Sequence, residues 1–221
     1  MDHVQRLDRR ALLSSLAWLA AAALALYLFP PFHIRPLGRA ADVQLATAPG
    51  AIDVPRFAEK FWSEQLVNPA IQAADAPALL AALNQNTATA LEKYGHRAGI
   101  GGKALFLVKG AGRVSAVDRR GVWLQVDGAS EARLVLNTGP IFGNALRDVT
   151  GLLAIEDFSS FDFNALSAEL NRLAETRAQP ALRADGKVGA TLSFIAAGEL
   201  DDASGAQAVL KLVPIRVTLQ Q

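Results

Sequence analysis

Residues 104–126 read ALFLVKGAGRVSAVDRRGVWLQV, and this stretch indicates the fold class. Apolar and polar residues alternate within it at a period of two, which is typical of β-strands. Its two interruptions, Gly110-Ala111-Gly112 and Asp118-Arg119-Arg120-Gly121, consist of turn-forming residues. We therefore predict an antiparallel meander that curls at the glycines, with strands at Ala104–Val108, Gly112–Val117 and Val122–Val126.

Further strand patterns follow this meander. Ala132–Asn137 comes first, and Lys187–Leu200 and Ala206–Leu219 flank the turn-forming stretch 201–205. Pro214 cannot donate to a sheet ladder, so the last strand should lie at an edge there. Five to six short strands punctuated by glycine predict an α+β fold. Its form would be a curved antiparallel sheet or an OB-like β-barrel with packed helices.

Helical patterns occupy two other regions. Asp53-Val54-Pro55 can start one helix, and Asp75-Ala76-Pro77 starts a second with a capping Asp and a first-turn Pro. Gly95 ends the second helix. A third helix fits Asp162 to about Arg177, with Asp162 as its cap, and Pro180 limits its extension.

The N-terminal segment Ala11–Phe29 carries no charge. Nineteen residues make about 28 Å of helix, close to the thickness of the hydrocarbon core of a membrane. A buried core helix would carry some polar residues. A cleavable signal peptide would have a shorter apolar run followed by small residues. Because bulky residues 27–32 end this run, we predict an uncleaved transmembrane signal anchor.

These patterns divide the chain into four parts. A tail of residues 1–10 precedes the anchor at 11–29, and a proline-rich extended tether spans 30–54. The α+β domain spans 55–221. It has helices within 55–95 and a β-rich part at 103–221 that includes helix 162–177.

Composition excludes several classes of function. The 221 residues contain no cysteine, which excludes disulfides, thiol catalysis and Cys-ligated metals. Residues 1–39 carry a net charge of +3 and the whole chain +1, so residues 40–221 carry −2. A mildly acidic domain without basic runs is a poor ligand for nucleic acid, and we predict no nucleic-acid partner.

Few residues offer catalytic or metal-binding chemistry. Of the three histidines, His3 and His33 flank the anchor, and only His96 belongs to the domain. A lone His is not a metal site, so we predict no metal and no cofactor. The glycines at 99–102 and 110–112 precede strands rather than helices, which favours turns or bulges over a phosphate-binding loop.

Three carboxylates suggest an enzymatic alternative. Asp148, Glu156 and Asp157 could supply the acid and base of a saccharide hydrolase, although nothing in their spacing fixes their separation. Acidic residues in loops are usually solvated. A serine hydrolase is weaker still, because Ser159-Ser160 lacks a nucleophile elbow. We predict no catalytic residue and no enzyme activity.

The segment from Gly139 to Asp148, continuing to Asp157, is the densest in residues typical of ligand-binding loops. Glycine allows close backbone approach, and Arg and Asp orient polar groups. Alternatively, Arg147 and Asp148 form a local ion pair and Phe158, Phe161 and Phe163 fill the core. On the first interpretation, the candidate ligand-binding residues are Gly139, Pro140, Gly143, Asn144, Arg147, Asp148 and Asp157.

The same segment resembles the signature of a bacterial family of predicted periplasmic lipoproteins, a domain of unknown function. The matching stretches are 109–114, 139–148, 156–158 and 169–171. The resemblance implies an envelope protein that faces the periplasm, is often encoded near sugar ABC transporters and has no established reaction. Such lipoproteins need a lipobox cysteine, which is absent here. A hydrophobic helix would then replace the lipid.

The functional hypothesis combines the anchor with this resemblance. We predict a single-pass protein of the bacterial inner membrane, with residues 1–10 cytoplasmic and the C-terminal domain periplasmic. It would be a non-catalytic accessory or binding module linked to sugar ABC transport. Its partners would be the inner membrane through residues 11–29, and ABC transporter components or a small sugar-like ligand. The alternatives are an envelope saccharide hydrolase and a structural envelope assembly module.

Overall fold

The fold is described from a computed structural model of the chain. It describes residues 52–68, 73–97, 103–127, 134–201, 204 and 208–220. All of these belong to Ala48–Gln221, the second of the two units into which the chain divides. Within these ranges, no helix has the length and apolar character needed to cross a membrane. The predicted anchor at 11–29, its flanking tail and most of the tether lie outside the described residues.

In the part of the chain that the structure describes, three helices precede the long strands of the sheet. Helix α1 spans Val54–Phe61 and continues through a π-helical turn at Trp62–Leu66. Asp53 caps α1, because its Oδ1 accepts a hydrogen bond from the amide of Arg56 at 3.1 Å. Helices α2 and α3 span Ala76–Gln85 and Thr87–Tyr94.

The second helical pattern therefore forms two helices rather than one, and Asn86 separates them. Its backbone is extended, and its side chain accepts from the amide of Thr89 at 3.0 Å to cap α3. Asp75 makes no capping hydrogen bond to α2, so the predicted cap there is wrong. Its carboxylate lies 3.9 Å from Lys109 Nζ instead. Gly95 follows the end of α3 as predicted.

Among the described residues, seven strands form one sheet. Two of these strands are short, and each pairs with the longest strand. In chain order the strands are β1 Ala74–Asp75, β2 His96–Arg97, β3 Ala104–Asp118, β4 Gly121–Val126, β5 Leu134–Leu136, β6 Thr191–Leu200 and β7 Leu210–Gln220.

Strand β3 runs unbroken through Gly110 and Gly112, where the sequence predicted a break. A Cβ at Gly112 would lie 2.9 Å from the carbonyl oxygen of Gln125 on β4. The glycine therefore permits close approach of the neighbouring backbone while the strand bends. As a result one strand pairs with β6 over Ala104–Arg113 and with β4 over Gly112–Asp118.

The pairings close a ring of five strands in the order β3-β4-β5-β7-β6, with β6 returning to β3. Four of these pairings are antiparallel, but β5 and β7 run parallel. The predicted antiparallel sheet is thus wrong at this junction of the ring, and β1 also pairs parallel with β3. The reason is topological: helices inserted between β5 and β6 return the chain to the ring so that β7 runs in the direction of β5.

The ring packs two apolar clusters on opposite faces of its strands. In β3, Phe106 and Val108 belong to the first cluster, and Leu105 and Leu107 belong to the second. The first cluster draws residues from all five ring strands and from α2 and α3. The second joins β3, β6 and β7 to α1 and to the helices that follow β5. Strands β3 and β6 are therefore buried on both faces, which holds the helical layer in place.

The insertion between β5 and β6 contains three helices. Helix α4 spans Ala145–Asp148, a 3₁₀ turn spans Ile155–Asp157, and α5 spans Ser160–Leu173. A π-helical turn at Ala174–Ala178 joins α5 to α6 at Gln179–Asp185.

Two details of this insertion differ from the sequence-based prediction. Ser159, rather than Asp162, caps α5: its Oγ accepts from the amide of Asp162 at 3.0 Å. The helical path also passes Pro180 instead of ending before it. The π turn changes the backbone pairing immediately before this proline, with the amide of Gln179 bonding to the carbonyl of Ala174.

Candidate binding site

Residues 137–144 connect β5 to α4 and run along the surface of α5 and α6; we call this segment the strap. Its backbone groups at residues 137, 139, 141 and 143 face the helices, and so does the carbonyl of Thr138. Four helical side chains at intervals of four residues bind the strap, and we call them the ladder: Asn171, Glu175, Gln179 and Arg183.

Two rungs of the ladder hold the first half of the strap. Gln179 is fully buried, and its Nε2 donates to the carbonyl oxygens of Gly139 at 2.7 Å and Asn137 at 3.3 Å. Arg183 donates to the carbonyl of Thr138 and to Gln179 Oε1, both at 2.7 Å. The arginine thereby fixes the orientation of the glutamine amide.

The other two rungs hold the second half. Glu175 Oε1 accepts from the amide of Ile141 at 2.7 Å, and Asn171 Nδ2 donates to the carbonyl of Gly143 at 3.0 Å. Residues four apart lie on one face of a helix, and residues two apart lie on one side of an extended chain. The two periods match closely enough for each rung to meet a strap residue.

The outward side of the strap follows from the same alternation. Pro140, Phe142 and Asn144 lie at the even positions and are exposed. The side chain of Phe142 is 86% exposed although the backbone on both sides of it is hydrogen-bonded to the helices. An aromatic ring is thus presented to solvent on a clamped backbone.

Arg147 and Asp148 lie behind the strap rather than on its surface. Arg147 is 5% exposed, and its Nε and Nη2 donate to the two carboxylate oxygens of Asp148 at 2.6 and 2.9 Å. Its Nη1 donates to the carbonyl of Phe163 at 3.1 Å, and the guanidinium stacks 3.6 Å from the centre of the phenyl ring of Phe163. Each donor group of this arginine is therefore used within the protein.

One groove lies between the strap and α5 and has a volume of about 420 Å³; we call it the helix groove. Phe142 and Asn144 line its strap side, and Asn164, Ser167 and Ala168 line its helix side. It contains both an apolar surface and neutral hydrogen-bonding groups.

A second groove of about 250 Å³ lies between the strap and strands β6 and β7; we call it the sheet groove. Phe142 and Ile141 are common to both grooves, so Phe142 forms a ridge between them. The sheet groove also includes Lys211 and Glu199. Glu199 pairs with Lys103 at 2.6 Å, and this hydrogen bond raises the pKa of Lys103.

Two charged side chains, Arg172 and Glu175, line the helix groove. Arg172 donates from Nε and Nη2 to the carboxylate of Glu169 at 2.8 and 2.6 Å. This hydrogen bond lowers the pKa of Glu169 and raises that of Arg172. Arg172 is the groove's cationic side chain among the residues described, and it is already paired.

The structure brings together four of the sequence-predicted site residues and separates three. Gly139, Pro140, Gly143 and Asn144 belong to the strap, whereas Arg147 and Asp148 form the buried pair behind it. Asp157 is exposed on the 3₁₀ turn and lines neither groove.

The other candidate groups are dispersed. Glu156 is exposed on the 3₁₀ turn. His96 lies beside Gly151, where a Cβ would come within 2.7 Å of the imidazole. Across the described ranges, no group of three or more acidic or histidine side chains could hold a metal ion.

Sequence reasoning missed the ladder. Glu175, Gln179 and Arg183 are polar residues at intervals of four on a predicted helix or just beyond its predicted end. That spacing indicates a polar helical face, but it resembles an ordinary solvated face. The sequence of the strap was the signal that distinguishes the ladder from a solvated face, since a loop with two glycines and a proline has backbone groups that need partners.

The ladder gives a direct stability prediction. Gln179→Met should lower the free energy of unfolding by about 1–3 kcal/mol, because two strap carbonyls lose their buried donor while the volume is preserved. Urea denaturation followed by circular dichroism measures this change. Gln85→Met, at the exposed end of α2, is the matched control and should cost less. Equal losses in the two variants would contradict a clamping role for Gln179.

The fold and the strap together define the class of protein: an α+β domain whose five-strand ring supports a clamped loop with an exposed aromatic residue. The structure is similar to that of an OB-fold protein from Thermotoga maritima, with a TM-score of 0.68 and 24% sequence identity. The match covers 77% of this chain and 99% of that one. This likeness confirms the predicted α+β class and its OB-like sheet arrangement.

The chain belongs to the family described as "Predicted periplasmic lipoprotein (DUF2291)", whose family model matches residues 22–218. The resemblance seen in the sequence is therefore confirmed. The family description fits a domain that faces the periplasm. No curated protein sequence matches the chain.

Proposed function

We propose that this protein is a non-catalytic, membrane-tethered periplasmic module that assists the uptake of a solute such as a sugar. The family description supports the periplasmic side. The uncharged run Ala11–Phe29 supports a single-pass anchor in the inner membrane, and a sequence without cysteine offers no site for a lipid. In this proposal the helix performs the attachment that a lipid performs in a lipoprotein.

The observation that carries the proposal is the ridge formed by Phe142. Its ring is 86% exposed, and the strap that bears it is hydrogen-bonded at Ile141 and Gly143 to the helix behind it. A preorganised aromatic group loses little conformational entropy when a partner binds, and such residues often dominate binding energy. The grooves on both sides offer complementary surface to the same partner.

The carboxylates give little support to the hydrolase alternative. Both oxygens of Asp148 accept hydrogen bonds from Arg147, which leaves this group poorly placed for proton transfer. Glu156 and Asp157 are exposed on a turn and line neither groove beside the strap. Accessory binding therefore fits the arrangement of the described residues better than glycan hydrolysis.

Photo-crosslinking in membranes tests the proposal. A photoreactive phenylalanine analogue at position 142 of the full chain should capture ABC transporter subunits, identified by mass spectrometry. The same analogue at Val188, which is 68% exposed outside both grooves, is the control and should not capture them. Capture of envelope assembly proteins at position 142 would instead support the structural alternative. Equal capture at both positions would contradict a specific contact between the Phe142 ridge and a partner.

The anchor needs a separate test. Replacing residues 1–29 with a cleavable export signal should move the protein from the membrane fraction to the soluble periplasmic fraction. A reporter fused after Gln221 should be active only in the periplasm. Activity of that reporter in the cytoplasm would contradict the proposed topology.

A further inference from the structure

Ser167 occupies the position of a fifth rung, four residues before Asn171. No strap carbonyl reaches it, because the chain turns into α4 at Ala145. Ser167 is 6% exposed, and its hydroxyl has no hydrogen-bond partner among the described residues. The ladder therefore ends on a polar group that nothing in the described chain satisfies.

The usual alternative partner for such a hydroxyl is also engaged. A helical serine commonly bonds to the carbonyl four residues earlier, which here belongs to Phe163. That carbonyl accepts from Arg147 Nη1 at 3.1 Å. A buried hydroxyl without a partner costs about 1–3 kcal/mol, and such groups are rare in native proteins. The hydroxyl of Ser167 is therefore left able to bond to a group that enters from outside the described chain.

Ser167 lines the helix groove, where the surrounding chemistry restricts what could bind. Asn144 and Asn164 can each donate and accept hydrogen bonds, and so can the hydroxyl of Ser167. Phe142 provides an aromatic surface beside them. Since Arg172 is paired with Glu169 and Glu175 adds a carboxylate to the lining, the groove has no surplus cation to attract a phosphate or a carboxylate.

We propose that the helix groove binds one neutral, polyhydroxylated molecule of monosaccharide size. A ring of vicinal hydroxyls matches side chains that both donate and accept, and the C–H face of such a ring packs on an aromatic side chain. The volume of about 420 Å³ suits a ligand of this size. One ligand hydroxyl bonds to Ser167, which turns about χ1 to reach it, since its Oγ has less than 1 Å² of exposed area.

This inference rests on the proposed function only in that the module binds the molecule without transforming it. The full chain in lipid nanodiscs is titrated by calorimetry with glucose, galactose, ribose and myo-inositol. Glucose 6-phosphate and galacturonate serve as charged counterparts. At least one neutral probe should bind at one site per chain, and both charged probes should bind at least tenfold more weakly than it does.

Two variants locate the site. Ser167→Ala should weaken binding of that probe by about tenfold or more, while the unliganded protein becomes no less stable, because an unsatisfied hydroxyl is removed. Ala168→Phe fills the groove from an exposed helix position and should abolish binding. Ser160→Ala, at the exposed start of α5, is the matched control and should leave affinity unchanged.

The outcomes separate this inference from the proposed function. Absence of binding by every neutral probe, or binding that survives both Ser167→Ala and Ala168→Phe, would overturn the ligand site. Transporter capture at position 142 would still stand in either case. Preferential binding of the charged probes would overturn the inferred ligand class.

Discussion

Gly121→Ala should lower the free energy of unfolding by at least about 3 kcal/mol, which is a large fraction of the stability of a domain of this size. Gly121 follows the turn between β3 and β4 and has φ of +140°, a conformation that is costly for residues with a Cβ. An added Cβ would also lie 2.0 Å from the carbonyl oxygen of Leu136. The substitution therefore strains Gly121 and pushes β5 away from β4.

Urea denaturation at neutral pH measures this loss, and two other glycines separate its causes. Gly189 and Gly143 have φ of +92° and +88°, but an added Cβ meets no atom within 4 Å at either position. Alanine at these sites should cost only the backbone strain, about 1–2 kcal/mol. If all three variants lose the same free energy, the close contact with Leu136 contributes nothing and the ring is more adaptable there than the structure indicates.

Arg147→Met should cost about 3–5 kcal/mol, because it leaves a partly buried carboxylate without its cation. The side chains of Arg147 and Asp148 are 6% and 14% exposed. The same change removes the donor to the carbonyl of Phe163 and the stacking on its ring. The loss should appear as a lower midpoint of urea denaturation with an unchanged slope.

A double-mutant cycle checks the mechanism of that loss. Arg147→Met combined with Asp148→Leu removes both charges and should recover much of the stability lost in the single variant. Arg177→Met breaks the pair with Glu59, where the two side chains are 46% and 43% exposed, and should change stability little. Strictly additive effects of the two substitutions at 147 and 148 would show that the pair is not coupled.

The sequence predicts local features well where one residue determines them. The turn Asp118-Arg119-Arg120-Gly121 lies where its turn-forming residues predict it, and Gly95 ends α3. The ion pair between Arg147 and Asp148 is the local interaction that their adjacency allowed. By contrast, Phe161 is 68% exposed and does not fill the core, because the cap at Ser159 turns that face of α5 outward.

Long-range features were less predictable because they depend on residues far apart in the chain. Alternation in Leu210–Leu212 identifies a strand but does not reveal that its neighbour β5 runs parallel. Pro180 indicates a helix end, and only the π turn before it explains why the helical path continues. The unpartnered hydroxyl of Ser167 was equally unpredictable from the sequence, since it depends on where α4 starts and on the carbonyl that accepts from Arg147.

The ladder also constrains the number of residues between β5 and α4. Four residues of α-helix rise about 6 Å, and two residues of extended chain span about 6.6 Å. Each backbone group of the strap therefore reaches its ladder side chain in only one register. Inserting or deleting a single residue would exchange inside for outside, turning Phe142 toward Glu175. Surface loops usually tolerate changes in length better than changes in packing. For residues 137–144 that order is reversed: the outward side chains can change without loss of stability, while the spacing that carries them is fixed.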